Sequence, residues 1–238
     1  MRARQRFAYN GYDLTAHVAV TSVSRSILPS RRLNRQELPG ADGELAVASG
    51  LDSLEIKVAC SLKASTLEEV SSRRRMLSAE LLSGGAAQLI LPDEPHLWLV
   101  AIYEGGAELS RNANMPSMEL TFLVPDPVAY GEERRVSIDG SGSISVGGTA
   151  PTSPVVRASA SSGSSWSVKN ASSGELVEVP GPFTGGEEIV VDMGLCRCTV
   201  DGEDRAVTLD SDFFAISGSQ RVELSGGSAE LSWTERWA

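Results

Sequence analysis

From about residue 137 to the end, the chain never sustains a helical period. Short runs such as "PVVRASA", "SWSVKNA", "ELVEVP", "EEIVVDM", "CRCTVDG", "RAVTL", "RVELSGG" and "AELSWTERWA" follow one another with turn signals between them. Alternating strands at a spacing of roughly 8–12 residues, with no helix to cover a sheet, leave a β-sandwich as the economical way to bury the apolar faces. "SIDGSGSISVGGTAPTSP", residues 137–154, is rich in Gly, Ser and Pro, yet Ile138, Ile144 and Val146 keep apolar side chains coming, which favours a short strand over a free linker.

The first half is also mainly β, with one helix. "RFAYNGYDL" sets Phe7 and Tyr9 on one face before Asn10-Gly11, a two-residue hairpin signal. "AHVAVTSVSRS" places Val18 and Val20 on one face and Val23 on the other, and "LDSLEIKVACSL" alternates Leu54, Ile56, Val58 and Cys60. "LPGADGEL" is turn chemistry. The period then changes over about residues 66–83. Thr66 with Glu69 has capping-box spacing, Leu67, Val70, Leu77 and Leu81 share a helical stripe, and Gly84 suits the C-terminal end. "AAQLIL", "HLWLVAIYEG" and "SMELTFLV" follow as strands.

The last of these runs into "FLVPDPVAYGEERR". Pro125 and Pro127 remove two backbone donors and bias their predecessors to extended geometry, so a sheet interior cannot continue through them. We therefore expect a boundary here, with domains at 1–131 and 132–238. The prolines stiffen the exit around Asp126, Tyr130 anchors the turn against the first domain, and Gly131 releases the chain in a new direction.

Composition narrows the function. The 238 residues carry a net charge of −10, and residues 150–238 alone hold 13 acidic and 6 basic side chains. That balance argues against a phosphate-gripping surface. No apolar run approaches the roughly 18 residues of a membrane span, and the basic N-terminus lacks a signal-peptide apolar stretch, so we expect synthesis in a reducing cytoplasm without Sec export. Three cysteines cannot close a disulfide set; Cys196 and Cys198 read as small core residues of one strand. The two histidines, His17 and His96, have no partner at metal-ligand spacing, and no nucleophile elbow, P-loop or zinc-protease motif occurs. Adjacent acidic residues arise by chance among 31 carboxylates. We expect no catalytic residues, cofactor or metal.

Two recognition surfaces remain. Arg25, Arg31, Arg32 and Arg35, beside Pro29 and Asn34, form a basic loop that is either solvated or an oligomer interface, since arginine is enriched at protein contacts. Trp166, Trp233 and Trp237 are the candidate aromatic platforms if the sandwich binds glycan, Trp166 foremost, although a tryptophan in a strand is more often buried.

The ordered segments "FAYNGYDL", "VTSVSR", "LPGADGEL", "RRRMLSAELL", "LILPDEPHLWLVAIYEG" and above all "TFLVPDPVAYGEE", followed by "GGTAPTSPVVRASA", "VDMGLCRCTVDGEDR" and "SWTERWA", resemble the distal tail proteins of long-tailed phages. "SGSQRVEL" departs from the family's usual proline-glycine turn. The resemblance implies a β domain with one helix that closes into a hexameric ring, and a galectin-like C-terminal sandwich carried outside it. It implies a hub at the virion tail tip, between the tail tube protein and the tail-tip protein, on which receptor-binding proteins are mounted and through which DNA passes without specific binding. A carbohydrate-binding adhesin module is the alternative.

Overall fold

The structure is a computed structural model and describes residues 6–40, 42–82, 84–105 and 116–238; the basic residues 1–5 of the N-terminus lie outside them. The chain separates into two compact units, Met1–Ala129 and Tyr130–Ala238.

In the first unit, β1 (Ala8–Tyr9) and β2 (Tyr12–Asp13) form the hairpin expected of Asn10-Gly11. Both turn residues have positive φ, 51° and 83°, the requirement of the tight turn that matches strand twist. A short 3-10 turn, Leu14–Ala16, is capped by Asp13, which accepts from the Thr15 amide. Next come β3 (Val18–Arg25), β4 (Arg31–Glu37), β5 (Glu44–Leu51) and β6 (Leu54–Leu62), then α1 (Leu67–Leu81), then β7 (Ala87–Ile90), β8 (Leu99–Tyr103) and β9 (Ser117–Val124). Seven strands make one sheet in the order β2-β1-β7-β8-β9-β6-β3, while β4 and β5 pair only with each other.

Alternation along β3 is corrected by a bulge. Register shifts between Val20, opposite Cys60, and Ser22, opposite Ala59, so the extra residue lets Val23 pack on the same core as Val18 and Val20. That core is centred on Phe122, which is fully buried among Phe7, Tyr9 and Tyr103 at ring separations of 6.5, 5.2 and 5.7 Å. The Tyr9 hydroxyl accepts from the Tyr103 amide, so a buried polar tip has a partner.

Thr66 caps α1 by accepting from the Glu69 amide at 3.2 Å, and the Glu69 carboxylate reaches back to the Ser65 amide at 2.7 Å. The expected four-residue apolar stripe is shorter than its periodicity. Leu77 and Leu81 are buried and Val70 packs against the core, but Leu67 is 86% exposed. It occupies the first helical position, a turn before Val70, and finds no sheet beneath it.

The second unit begins with an 18-residue strand, β10 (Ala129–Val146), followed by β11 (Val155–Ser159), β12 (Gly163–Asn170), β13 (Leu176–Phe183), β14 (Glu188–Asp192), β15 (Arg197–Val200), β16 (Glu203–Asp204) and the 20-residue β17 (Gly218–Trp237). Two segments that read as separate strands, "RVELSGG" and "AELSWTERWA", are one. Gly226-Gly227 bends β17 instead of ending it, with Gly227 at φ 75°. The half before the bend pairs with β12 and the half after it with β11. One strand therefore joins β13-β12 to β11-β14-β15-β16 in an eight-stranded sheet, around a core that includes Trp166, Phe214, Leu231 and Trp233. "RAVTL" forms no strand.

Cys198 lies in that core, but Cys196 does not: it takes φ 51° in the β14–β15 turn and is exposed. Burial pushes the Cys60 and Cys198 thiols up to about 11, as expected of inert core residues. Asp201-Gly202 makes the hairpin to β16, again with positive φ at both positions.

At the edge strand β13, Pro180 and Pro182 carry no amide hydrogen, while the Leu176 and Glu178 carbonyls accept from the Asp212 and Thr208 amides. Nearby, the β13–β14 turn is stapled by Glu187. The Thr184 hydroxyl, at 2.6 Å, and the Thr184 and Gly185 amides donate to its carboxylate and hold its pKa down to about 2. Because the folded value is depressed, this contribution is present above the ordinary glutamate pKa of roughly 4.3 and is lost as pH falls through about 2. Carboxyl NMR should give a Glu187 midpoint near 2 that rises in Thr184→Val; a midpoint near the ordinary value in the parent chain would mean the staple is open.

A candidate assembly surface

The arginine-rich segment is a hairpin and not a loop. Arg31, Arg32 and Arg35 stand in β4, and all residues of β4 and β5 are exposed. Arginine, asparagine and glutamine between single leucines hid the strand, because neither face of the pair looks inward and no core-directed alternation arises. The signal was the turn "LPGADGEL" with a short apolar run, "ELAVA", after it.

The hairpin grows out of the β3–β6 pair, as the Asp52 amide donates to the Ser30 carbonyl where the chain returns. Register sets Leu33 opposite Ala48 and Arg35 opposite Ala46 on one face, with Asn34 opposite Val47 and Gln36 opposite Leu45 on the other. Leu33, Leu45 and Val47 are 44–53% exposed, and Ile27 in the preceding bend is 97% exposed. A two-stranded hairpin with solvent on both faces is marginal by itself. Apolar residues therefore stand exposed on both faces of the pair, the kind of surface that marks a candidate interaction site.

The basic cluster is partly occupied within the chain. Arg25, in β3, meets Asp93 and Glu94 at 3.0 and 2.6 Å, Arg32 meets Asp52 at 3.1 Å, and Arg35 meets Glu44 at 3.3 Å. Among the described residues Arg31 makes no ion pair. Arg25 thus ties the root of the hairpin to the β7–β8 turn, and the two strand arginines brace the hairpin itself.

At the proline pair, the Val128 amide donates to the Asp126 carbonyl and closes a tight bend at 2.7 Å. Ala129 belongs to the core of the first unit, whereas the Tyr130 ring lies under the Arg236 guanidinium of the second, at 5.6 Å. Tyr130 and Gly131, expected to anchor the turn and release the chain, are the second and third residues of β10. The "EERR" run is strand as well, with Arg134 paired to Glu132 and Glu235, and Arg135 to Glu133.

Trp166 cannot be a glycan platform. It is 1% exposed, and its indole nitrogen donates to the Gly226 carbonyl. Trp233 is likewise buried, and of the three candidates only Trp237 is exposed, at 37%. The outward side of the second sheet carries a charged row in their place, in which Arg135 faces Glu230 and Arg157 faces Glu188, each at 3.9 Å. Among the described residues no group of three or more His, Cys, Asp or Glu side chains could hold a metal ion, and no helix is long and apolar enough to cross a membrane.

Comparison with known proteins places both units. Residues 15–124 match the phage tail protein RIFT-related domain, and residues 147–237 match the C-terminal domain of the siphovirus-type tail component. The distal tail protein of Bacillus phage SPP1 is 24% identical over 216 residues, spanning 87% of this chain and 85% of that protein. The crystal structure of the SPP1 Dit protein superposes with a TM-score of 0.84 at 20% identity, covering 98% of this chain and 99% of that one, so the fold is shared along its length. Two tail-protein domains in this order, on this mainly β fold, account for most of the sequence, and the chain belongs to the siphophage distal tail protein family.

Proposed function

We propose that the chain is the structural hub of a long-tailed phage's tail tip. In this reading it closes into a six-membered ring that joins the tail tube protein to the tail-tip protein, carries receptor-binding proteins on the second unit, and lets DNA pass. The related SPP1 protein is described as a paradigm of a hub adsorption apparatus in phages infecting Gram-positive bacteria. The observation that carries the reading here is the β4–β5 hairpin, which has no surface of its own to bury Leu33, Leu45 and Val47. A ring repeats one heterologous contact until it closes, so each copy needs one such donor element. Arg31 sits on it with no carboxylate partner among the described residues, ready for an acidic neighbour, and the net −10 charge of the chain suits a passage that DNA must cross without sticking. The Pro125–Val128 bend then serves as the joint between the ring-forming and cargo-bearing units.

Light scattering on the purified chain, alone or mixed with tail-tube and tail-tip proteins, should find a particle near six times 25.2 kDa. Leu45→Asp with Val47→Asp should leave a folded monomer, because neither residue contributes to the core, while lowering assembly by on the order of 100-fold through two buried, unpaired charges. Arg31→Glu should weaken assembly less and make it less salt-sensitive. A chain that stays monomeric in every mixture, or a double variant that assembles normally, defeats the reading.

A further inference from the structure

Trp233 is 3% exposed and packs in the core, whereas residues 234–238, which follow it, are outside that core. They include the last four residues of β17, a strand that pairs with β10, and further polar contacts hold them. The Thr152 hydroxyl donates to the Thr234 carbonyl at 2.8 Å, and Arg134 holds the Glu235 carboxylate at 3.2 Å. The Arg236 carbonyl accepts from both the Thr149 and Ala150 amides at 3.0 Å, and its guanidinium donates to the Pro151 carbonyl at 3.1 Å while lying over Tyr130. The Ala238 amide donates to the Thr149 hydroxyl at 2.8 Å. The segment Gly147–Thr152 fits against this tail closely enough to require glycine. A Cβ on Gly148, already at φ 89°, would lie 2.1 Å from the Arg236 carbonyl oxygen, and one on Gly147 would lie 2.5 Å from Glu235.

We propose that residues 234–238 are a releasable strap that fastens the first strand of the second unit, through Tyr130 and Arg134, to the Gly147–Thr152 segment. Attachment by charge, cation–π contact and hydrogen bonds, with the apolar core ending at Trp233, makes the strap separable from that core. Opening it costs a local set of contacts and leaves the sandwich intact. The open state presents the Thr149 and Ala150 amides and the Tyr130 ring to another chain, which makes the place where the second unit begins adjustable. This goes beyond the hub reading and does not depend on it.

Amide hydrogen exchange on the full chain tests the strap. Arg236→Gln should speed exchange at Thr149 and Ala150 by roughly tenfold, with Val168 and Val191 in the core strands unchanged. Raising salt from about 0.1 to about 1 M should move the parent chain in the same direction, because screening weakens the Arg134–Glu235 contact. Gly148→Ala, which pushes from the other side, should loosen the same contacts. If Thr149 and Ala150 exchange in step with the core amides, the tail is an ordinary part of the sandwich and the proposal fails. If they do not respond to either variant, the contacts named do not hold it, and the proposal fails equally.

Discussion

Trp166→Ala is expected to cost the second unit about 3–5 kcal/mol, the range for deleting a fully buried large aromatic. Three losses combine. The indole leaves a cavity in a core that includes Val168, Val179 and Leu231. Its contact area disappears from β12, where it stands opposite Val179. The Gly226 carbonyl also loses the indole N–H, at the point in β17 between its pairing with β12 and its pairing with β11. With each kcal/mol worth roughly 4–8 °C in a unit of this size, a fall of at least about 12 °C should appear in a thermal melt. Leu209→Ala, on a fully exposed side chain, is the control and should stay within about 0.5 kcal/mol. A Trp166→Ala protein that melts with the parent would show the indole outside the core. Lost glycan binding in this variant would report damage to the fold, so Trp166 cannot be used to test a sugar site.

Phe122→Ala should do comparable harm to the first unit, about 3–5 kcal/mol. Phe122 stands opposite both Ile56 of β6 and Tyr103 of β8, so it lies where three strands meet. Its ring also takes the edges or tilted faces of Phe7, Tyr9 and Tyr103, and such aromatic pairs add about 0.5–1.5 kcal/mol beyond area. Phe122→Leu should recover part of the loss, since it fills volume without the ring contacts. The reading is checked by urea unfolding of both variants with hydrogen exchange resolved by unit. Slowly exchanging amides of β6 and β9 should lose protection, and those of β14 and β15 should keep it. Equal loss in both units would mean that the chain unfolds as one cooperative body.

Much of this fold was legible because local chemistry and tertiary outcome agree. Asn10-Gly11 tolerates positive φ, Thr66 and Glu69 satisfy the first amides of a helix, and β6 alternates because one of its faces is buried. The readings that failed did so where local signals carry two meanings. Glycine marks turns, and it also marks bends within long strands, which is why β17 was divided at Gly226-Gly227. Tyr130 and Gly131, expected to anchor the turn and to redirect the chain, stand at the start of β10. Polar strands with no inward face carry no period, so β4–β5 passed for a loop. The partners of Arg25 are Asp93 and Glu94, nearly seventy positions away, and no local pattern connects them. Trp166 shows the reverse ambiguity: an indole in an alternating strand is compatible with platform and core alike, and only the packing decides.

The edge at β13 has a consequence for any setting in which copies of this chain are concentrated. Open sheet edges template further strands, and many identical copies held side by side are the condition under which such templating runs away into fibres. Along β13 the Leu176 and Glu178 carbonyls are already engaged, and Pro180 and Pro182 have no hydrogen to offer. That rim cannot nucleate a cross-β stack, so local concentration can rise without aggregation starting there.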